Sequence, residues 1–167
     1  MQVRVLQGAL SLLHRDDDDW MREALREARK AEAEGEVPVG AVIVLGDEVI
    51  ARAHNQRELL HDPTAHAEMI ALTQAAEHVS NWRLSGARMY VTLEPCAMCA
   101  GALVLSRLDE VIWATPDPRA GAVESVFRIL EEPRLNHRVL SRSGVLEEEC
   151  RELLKSFFRR RRTESDP

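Results

Sequence analysis

A histidine and a glutamate stand two apart in "TAHAEMIAL", at His66 and Glu68. Thirty residues beyond His66, "EPCAMC" places two cysteines three apart, Cys96 and Cys99. Imidazole and thiolate are the ligands zinc prefers. Structural zinc sites close with four protein ligands, whereas catalytic ones hold three and leave a position for water. A fourth protein ligand is not obvious here. Cys150 sits in "LEEECRELL", where a lone cysteine reads as core, and His61 lies in a polar loop and reads as solvated. Three ligands and a neighbouring carboxylate therefore suit a hydrolytic metal site better than a structural clip. Each half alone is weak: HxE is common, and CxxC is shared among zinc, redox pairs and chance. A redox pair would give HAE no role, so the combination carries the reading.

The elements must then bring the two halves together. Cys96 and Cys99 share a face in a helical turn, just past a strand and Pro95. A helix N-terminus there favours the thiolate. His66 and Glu68 differ by about 200° around a regular helix, so both can serve only a site lying off the helix end. Pro63 and Thr64 put a helix start at that point. Two helix N-termini must converge at the ends of neighbouring strands, where open α/β sheets bind ligands.

Along the chain, "DDDDWMREALREARKAEAEG" reads as a first helix, capped by aspartates and stopped at Gly35. Ala41–Leu45 and Val49–Ala53 flank a hairpin signal at Gly46–Glu48. Asn55–Pro63 reads as a polar loop, and Ala65–Val79 as a helix with an apolar stripe. "ARMYVTL" is a strand, Cys96–Leu105 a short helix opened by Pro95, and "DEVIWA" a strand. "PDPRAGA" reads as a loop, Val123–Leu130 as a helix, "HRVLS" as a final strand and Val145–Arg162 as a long helix. Strands alternating with helices predict an α/β fold with right-handed crossovers and helices on both faces of the sheet. The hairpin makes that sheet, of five strands, mixed.

The 167 residues suit one domain, and 45% hydrophobic residues allow a real core. No apolar run reaches the roughly 18 residues of a membrane span. "MQVRVLQGALSLLH" has no small-residue cleavage pattern after it, so residues 1–15 read as an extension rather than a secretory signal. Three cysteines make no disulfide framework and fit a reducing cytoplasm. The formal charge of −6 argues mildly against nucleic acid, but Arg151–Arg162 carries Arg151, Lys155 and "RRRR" against one Glu152. A local basic face can hide inside an acidic total.

H-x-E…P-C-x-x-C is the signature of zinc nucleobase deaminases, among which tRNA adenosine deaminases are standard examples. The chain resembles the bacterial tRNA-specific adenosine deaminases from about Trp20 to Arg162. "EVPVGAVIV", "HNQRELLHDPTAHAEMIAL", "MYVTLEPCAMCAGAL", "NHRV" and "ELLKSFFRRR" fall in the family's order.

The resemblance implies a three-layer α/β/α, cytidine-deaminase-like fold over residues 16–162, with a short tail at 163–167. It implies one zinc per subunit on His66, Cys96 and Cys99, which lowers the pKa of water toward neutrality. Glu68 would carry the proton from that water to the base. The implied activity is hydrolysis of adenosine to inosine at the wobble position of a tRNA, by a cytoplasmic homodimer. Asn55 matches the residue that hydrogen-bonds the flipped purine. Asp117 and Asn136 match positions that contact flanking nucleotides. Phe157, Phe158, Arg159 and Arg160 match the helix that touches the anticodon loop, although without the resemblance the two Phe would read as packing and the Arg run as a solvated end.

"DPRAGAVES" departs from the family pattern: Arg119 replaces Lys, Glu124 replaces Gly and puts a carboxylate near the expected RNA path, and Pro116 precedes Asp117. Two other readings stand beside the first. One is a deaminase of a free base or nucleoside such as guanine or cytosine. The other is a zinc-stabilised RNA-binding module that leaves Glu68 idle.

Overall fold

The computed structural model of the chain describes residues 15–165. The expected N-terminal extension falls, apart from Arg15, outside the described residues. Arg15 itself packs its guanidinium on the Trp20 ring, 3.8 Å from the centroid, and pairs with Glu23.

Helix α1 (Asp17–Ala33) starts as the aspartates predict. Asp19 donates its N–H to the Asp16 carboxylate, and the Asp19 carboxylate accepts the N–H of Asp16. This capping box satisfies two N–H groups at the helix end. Strands β1 (Gly40–Leu45) and β2 (Glu48–His54) form the hairpin; Glu48 joins β2 because the turn needs only Gly46 and Asp47, and Gly40 and His54 pair at the far end to lengthen both strands. The loop after β2 holds a single turn, α2 (Arg57–Leu60), where no helix was expected. Helix α3 (Ala67–His78), strand β3 (Ala87–Leu93), helix α4 (Ala97–Leu105) and strand β4 (Glu110–Thr115) follow. Strand β5 (Leu140–Ser143) and helix α5 (Glu147–Ser165) complete the order.

The sheet runs β2-β1-β3-β4-β5, antiparallel on both sides of β1 and parallel from β3 onward. Strand alternation sorts the core into two faces. Val42, Val44, Tyr90, Ile112 and Ala114 pack with Trp20, Met21, Ala24 and Leu25 of α1 and Cys150 of α5. Ala41, Ile43, Met89, Val91, Val111 and Trp113 pack with α3 and α4. This is the expected three-layer α/β/α arrangement on a mixed five-stranded sheet. Cys150 is core, as its context suggested. Gly40 lets α1 press onto β1: a Cβ there would lie 2.0 Å from the Ala24 carbonyl oxygen.

Three expected elements differ. Val123–Leu130 is not an α-helix; a 3-10 turn at Ile129–Glu131 is the helical part. Its N–H groups turn back too far for helical bonding: Val126 and Phe127 donate to the Gly121 carbonyl, and Ile129 to that of Ala122. The final strand lies three residues later than "HRVLS" and begins at Leu140. The His137 ring, used 2.7 Å from the Leu108 carbonyl oxygen, holds the approach to it. The last helix continues past Arg162 to Ser165.

Candidate metal centre and cleft

The two halves of the motif meet at one edge of the sheet, where β2, β3 and β4 end and β1 begins. His66 is the N-cap of α3 and Cys96 the N-cap of α4, both with extended backbone and neither using its side chain to cap. Their side chains are therefore available to the space in front of the helices. Cys99 comes up from the first turn of α4, as the three-residue spacing requires.

His66 Nδ1 lies 3.8 Å from Cys96 Sγ and 3.6 Å from Cys99 Sγ. The three ligand atoms all fall within 4.8 Å of one another, the one such trio among the described residues. A tetrahedral zinc with Zn–N and Zn–S near 2.0 and 2.3 Å separates N from S by about 3.5 Å. The trio thus fits such an ion in donor type and in spacing, and it offers three ligands rather than four.

The charges follow from proximity. The Cys99 thiol donates toward Cys96, and with His66 this holds the Cys96 thiol down at about 3. Cys96 in turn raises the His66 imidazole above its usual value, against the opposing effect of burial. Cys99, beside the Cys96 sulfur and buried, is pushed up. A bound cation would draw both sulfurs to the thiolate.

Glu68 is 3% exposed. Burial pushes its carboxyl up to about 7, against the pull of its own backbone N–H and of His66. A carboxyl poised near neutrality can both take and give a proton. Glu68 stands in the first turn of α3 while His66 stands just outside it. That offset lets residues 200° apart on a helix serve one point.

His66 and Cys96 line a cleft of about 1030 Å³, and Cys99 is buried beside them. Pro116–Ala120, after β4, and α5 both form its walls. Asn55, Asp117, Phe158 and Arg159 line the cleft, as does Glu68. Asn55 is already engaged: its carbonyl oxygen accepts the Ala67 N–H at 2.9 Å and its amide donates to the Val37 carbonyl at 3.1 Å. One N–H and one lone pair remain to it.

Three expected contact residues lie elsewhere. Phe157 is 5% exposed and packs edge-on against Phe158, which is 45% exposed and faces the cleft. Arg160 pairs with Glu32 at the end of α1. Asn136 accepts from Arg107 at 3.0 Å, away from the cleft lining. Glu124 also lies off the cleft, in a separate shallow depression.

The cleft adds Arg57, which the sequence reading did not single out, and takes Arg151, Lys155 and Arg162 from the basic C-terminal segment that it did. Residues 151, 155, 159 and 162 advance in steps of four, four and three, so they share one helix face. That spacing was the available signal. Arg57, Arg119, Lys155 and Arg162 pair with no carboxylate among the described residues. The cleft is basic in a chain whose formal charge is −6.

The chain matches the MafB19-like deaminase family over residues 15–162. It is 52% identical over 143 residues to the tRNA-specific adenosine deaminase of Bacillus subtilis, covering 86% of this chain and 89% of that protein. The tRNA-specific adenosine deaminase of Aquifex aeolicus is also 52% identical, covering 86% and 94%. A solved structure from a study of A-to-I editing by tRNA:A34 deaminases at the wobble position is 45% identical, with a TM-score of 0.79 over 81% of this chain and 98% of that one. The guanine deaminase of Nitrosomonas europaea shares the fold at 22% identity, with a TM-score of 0.71 over 86% and 85%. The chain belongs to the MafB19-like deaminases, and among them to the tRNA-specific adenosine deaminases.

Proposed function

We propose that the protein hydrolyses adenosine to inosine at the wobble position of a tRNA anticodon, as a cytoplasmic homodimer with one zinc per subunit. The observation that carries this reading is the buried Glu68 beside a three-ligand trio, with Glu68, His66 and Cys96 lining a basic cleft. His66, Cys96 and Cys99 would hold the ion. A zinc there supplies Lewis acidity and lowers the pKa of an attacking water.

The remaining work falls to the chain's own groups. Glu68 takes a proton from the attacking water and gives it to N1 of adenine, while the oxygen bonds to C6. The same carboxyl then carries the second proton to the exocyclic nitrogen. The C6–N bond breaks, ammonia leaves and the hypoxanthine carbonyl remains, so water and adenosine become inosine and ammonia. Burial suits both steps, since a carboxyl near 7 is neither too weak a base nor too weak an acid.

Asn55 would use its free amide valences on the flipped base. Phe158 offers a half-exposed ring for stacking, worth about 1–3 kcal/mol per base. Arg119, Lys155, Arg159 and Arg162 would meet phosphates, and Asp117 a nucleotide beside the target. Phe157 would support Phe158 from behind, and Arg160 and Asn136 would act through the elements they tie together.

The test is incubation of the purified protein with an adenosine-bearing anticodon stem-loop, alongside free adenine, guanine, cytosine and cytidine. Inosine should form in the stem-loop. Turnover of a free base with the stem-loop untouched would replace this reading by a small-molecule deaminase. Stem-loop binding without turnover of any substrate by zinc-loaded protein would leave a binding module.

A further inference from the structure

Glu94, which precedes Pro95 and Cys96, is 2% exposed, and no Lys, Arg or His pairs with it among the described residues. Its donors among the described residues all come instead from one loop. Oε1 accepts the N–H groups of Val123 at 3.2 Å, Glu124 at 2.8 Å and Ser125 at 2.9 Å. Oε2 accepts the Asp117 N–H at 2.9 Å and the Ser125 hydroxyl. A buried carboxylate is costly unless hydrogen bonds replace its water, and here backbone dipoles and one hydroxyl do so. Burial raises its carboxyl, but Ser125 and the N–H groups of Glu124, Ser125 and Asp117 outweigh that and hold it below the usual range.

The loop closes tightly on this group. A Cβ at Gly121 would lie 2.3 Å from Oε2, so only glycine admits the carboxylate. Gly121 bridges to Cys96, and Ala122 donates to the Pro95 carbonyl at 2.8 Å. The start of this loop, Pro116–Ala120, forms part of the cleft wall. The segment 94–96 therefore carries a ligand of the trio and also the anchor of the wall.

We propose that Glu94 is a positioning residue, an acceptor hub that clamps the 117–125 strap and so sets the cleft wall that an RNA loop must pass. The hub stands on geometry alone; its consequence for RNA rests on the proposed function. An amide in place of the carboxylate turns an N–H₂ toward at least one backbone N–H. Glu94→Gln should therefore loosen the strap while leaving the trio in place. Ser125→Ala removes one donor from the exposed side and should do so more weakly.

The experiment compares zinc-loaded wild type, Glu94→Gln and Ser125→Ala by hydrogen–deuterium exchange, metal content and stem-loop kinetics. In Glu94→Gln, amides in 117–125 should exchange about tenfold faster or more, with β1 and β3 unchanged. Zinc per chain should stay at the wild-type ratio. KM for the stem-loop should rise about tenfold with kcat within about threefold. If Glu94→Gln does not fold, Ser125→Ala decides: faster exchange confined to the strap supports the hub, and unchanged exchange overturns it. Acceleration spread over the whole sheet overturns it too. A loosened strap with unchanged KM overturns the role as a cleft wall. Wild-type protein that fails to deaminate the stem-loop defeats the proposed function instead, and the exchange data still judge the hub.

Discussion

The side-chain carbonyl of Asn55 accepts the backbone N–H of Ala67 at 2.9 Å, so the end of β2 holds the start of α3 in place. That start is where His66 and Glu68 stand. Asn55 is thus a structural support as well as a candidate base contact. Its replacement by Ala leaves a buried N–H without an acceptor, at a cost of about 1–3 kcal/mol. Asn55→Ala should lower Tm and weaken zinc retention during dialysis, besides lowering turnover. An unchanged Tm with lost turnover would leave only the base-binding role.

Glu68 and the trio separate in their effects. Glu68→Gln should bind zinc at the wild-type ratio yet lose at least about a hundredfold in kcat, the lower end for a proton-transfer group. Substitution of His66 by Ala should lose the metal as well as the turnover. Metal content by elemental analysis and single-turnover rates on the stem-loop read both. Measurable wild-type turnover by Glu68→Gln would remove the proton-carrier role.

The acid limb of stability should depend on Asp17. Arg142, through its hydrogen bond and charge, and Tyr90, through its hydroxyl, hold this carboxyl below its usual value, overcoming the effect of burial. A lowered carboxyl stabilises the fold fully above its unfolded pKa, near 3.9. That contribution is lost as pH falls through the lower folded value. Asp17→Asn should thus lower Tm at pH 7, and the gap to wild type should narrow below about pH 4. A gap constant across that range would discount the Asp17–Arg142 pair.

The arginine run divides by what each side chain touches. Arg159 and Arg162 line the cleft, whereas Arg160 pairs with Glu32 and Arg161 donates to the Gly35 carbonyl at 2.6 Å. Substituting Ala for Arg162 should weaken stem-loop binding and reduce the salt slope by roughly 0.7–0.9. Arg160→Ala should leave that slope in place and lower Tm slightly, within the range of an exposed pair. Equal slopes for both variants would remove the distinction.

The His66–Cys96–Cys99 trio, the Glu68 carboxyl beside it and the alternation of strands and helices were legible in the residues because local rules set them. Ligand chemistry restricts zinc to a few residue types, and a period of two or 3.6 shows which face is buried. The aspartate cap of α1, the hairpin glycine and the paired helix starts at His66 and Cys96 are short-range features of this kind. What the linear order could not decide depends on partners distant in sequence. Val123–Leu130 has helical local character but lies in a strap tied to Glu94, 29 residues or more away. "FFRRRR" reads the same at every position, yet Phe157 is buried, Arg160 is engaged by Glu32 of α1 and Arg161 by the Gly35 carbonyl just beyond it, leaving Phe158, Arg159 and Arg162 to the cleft. Burial and hydrogen-bond partnership are properties of three-dimensional neighbours, so they were settled when the helices packed on the sheet.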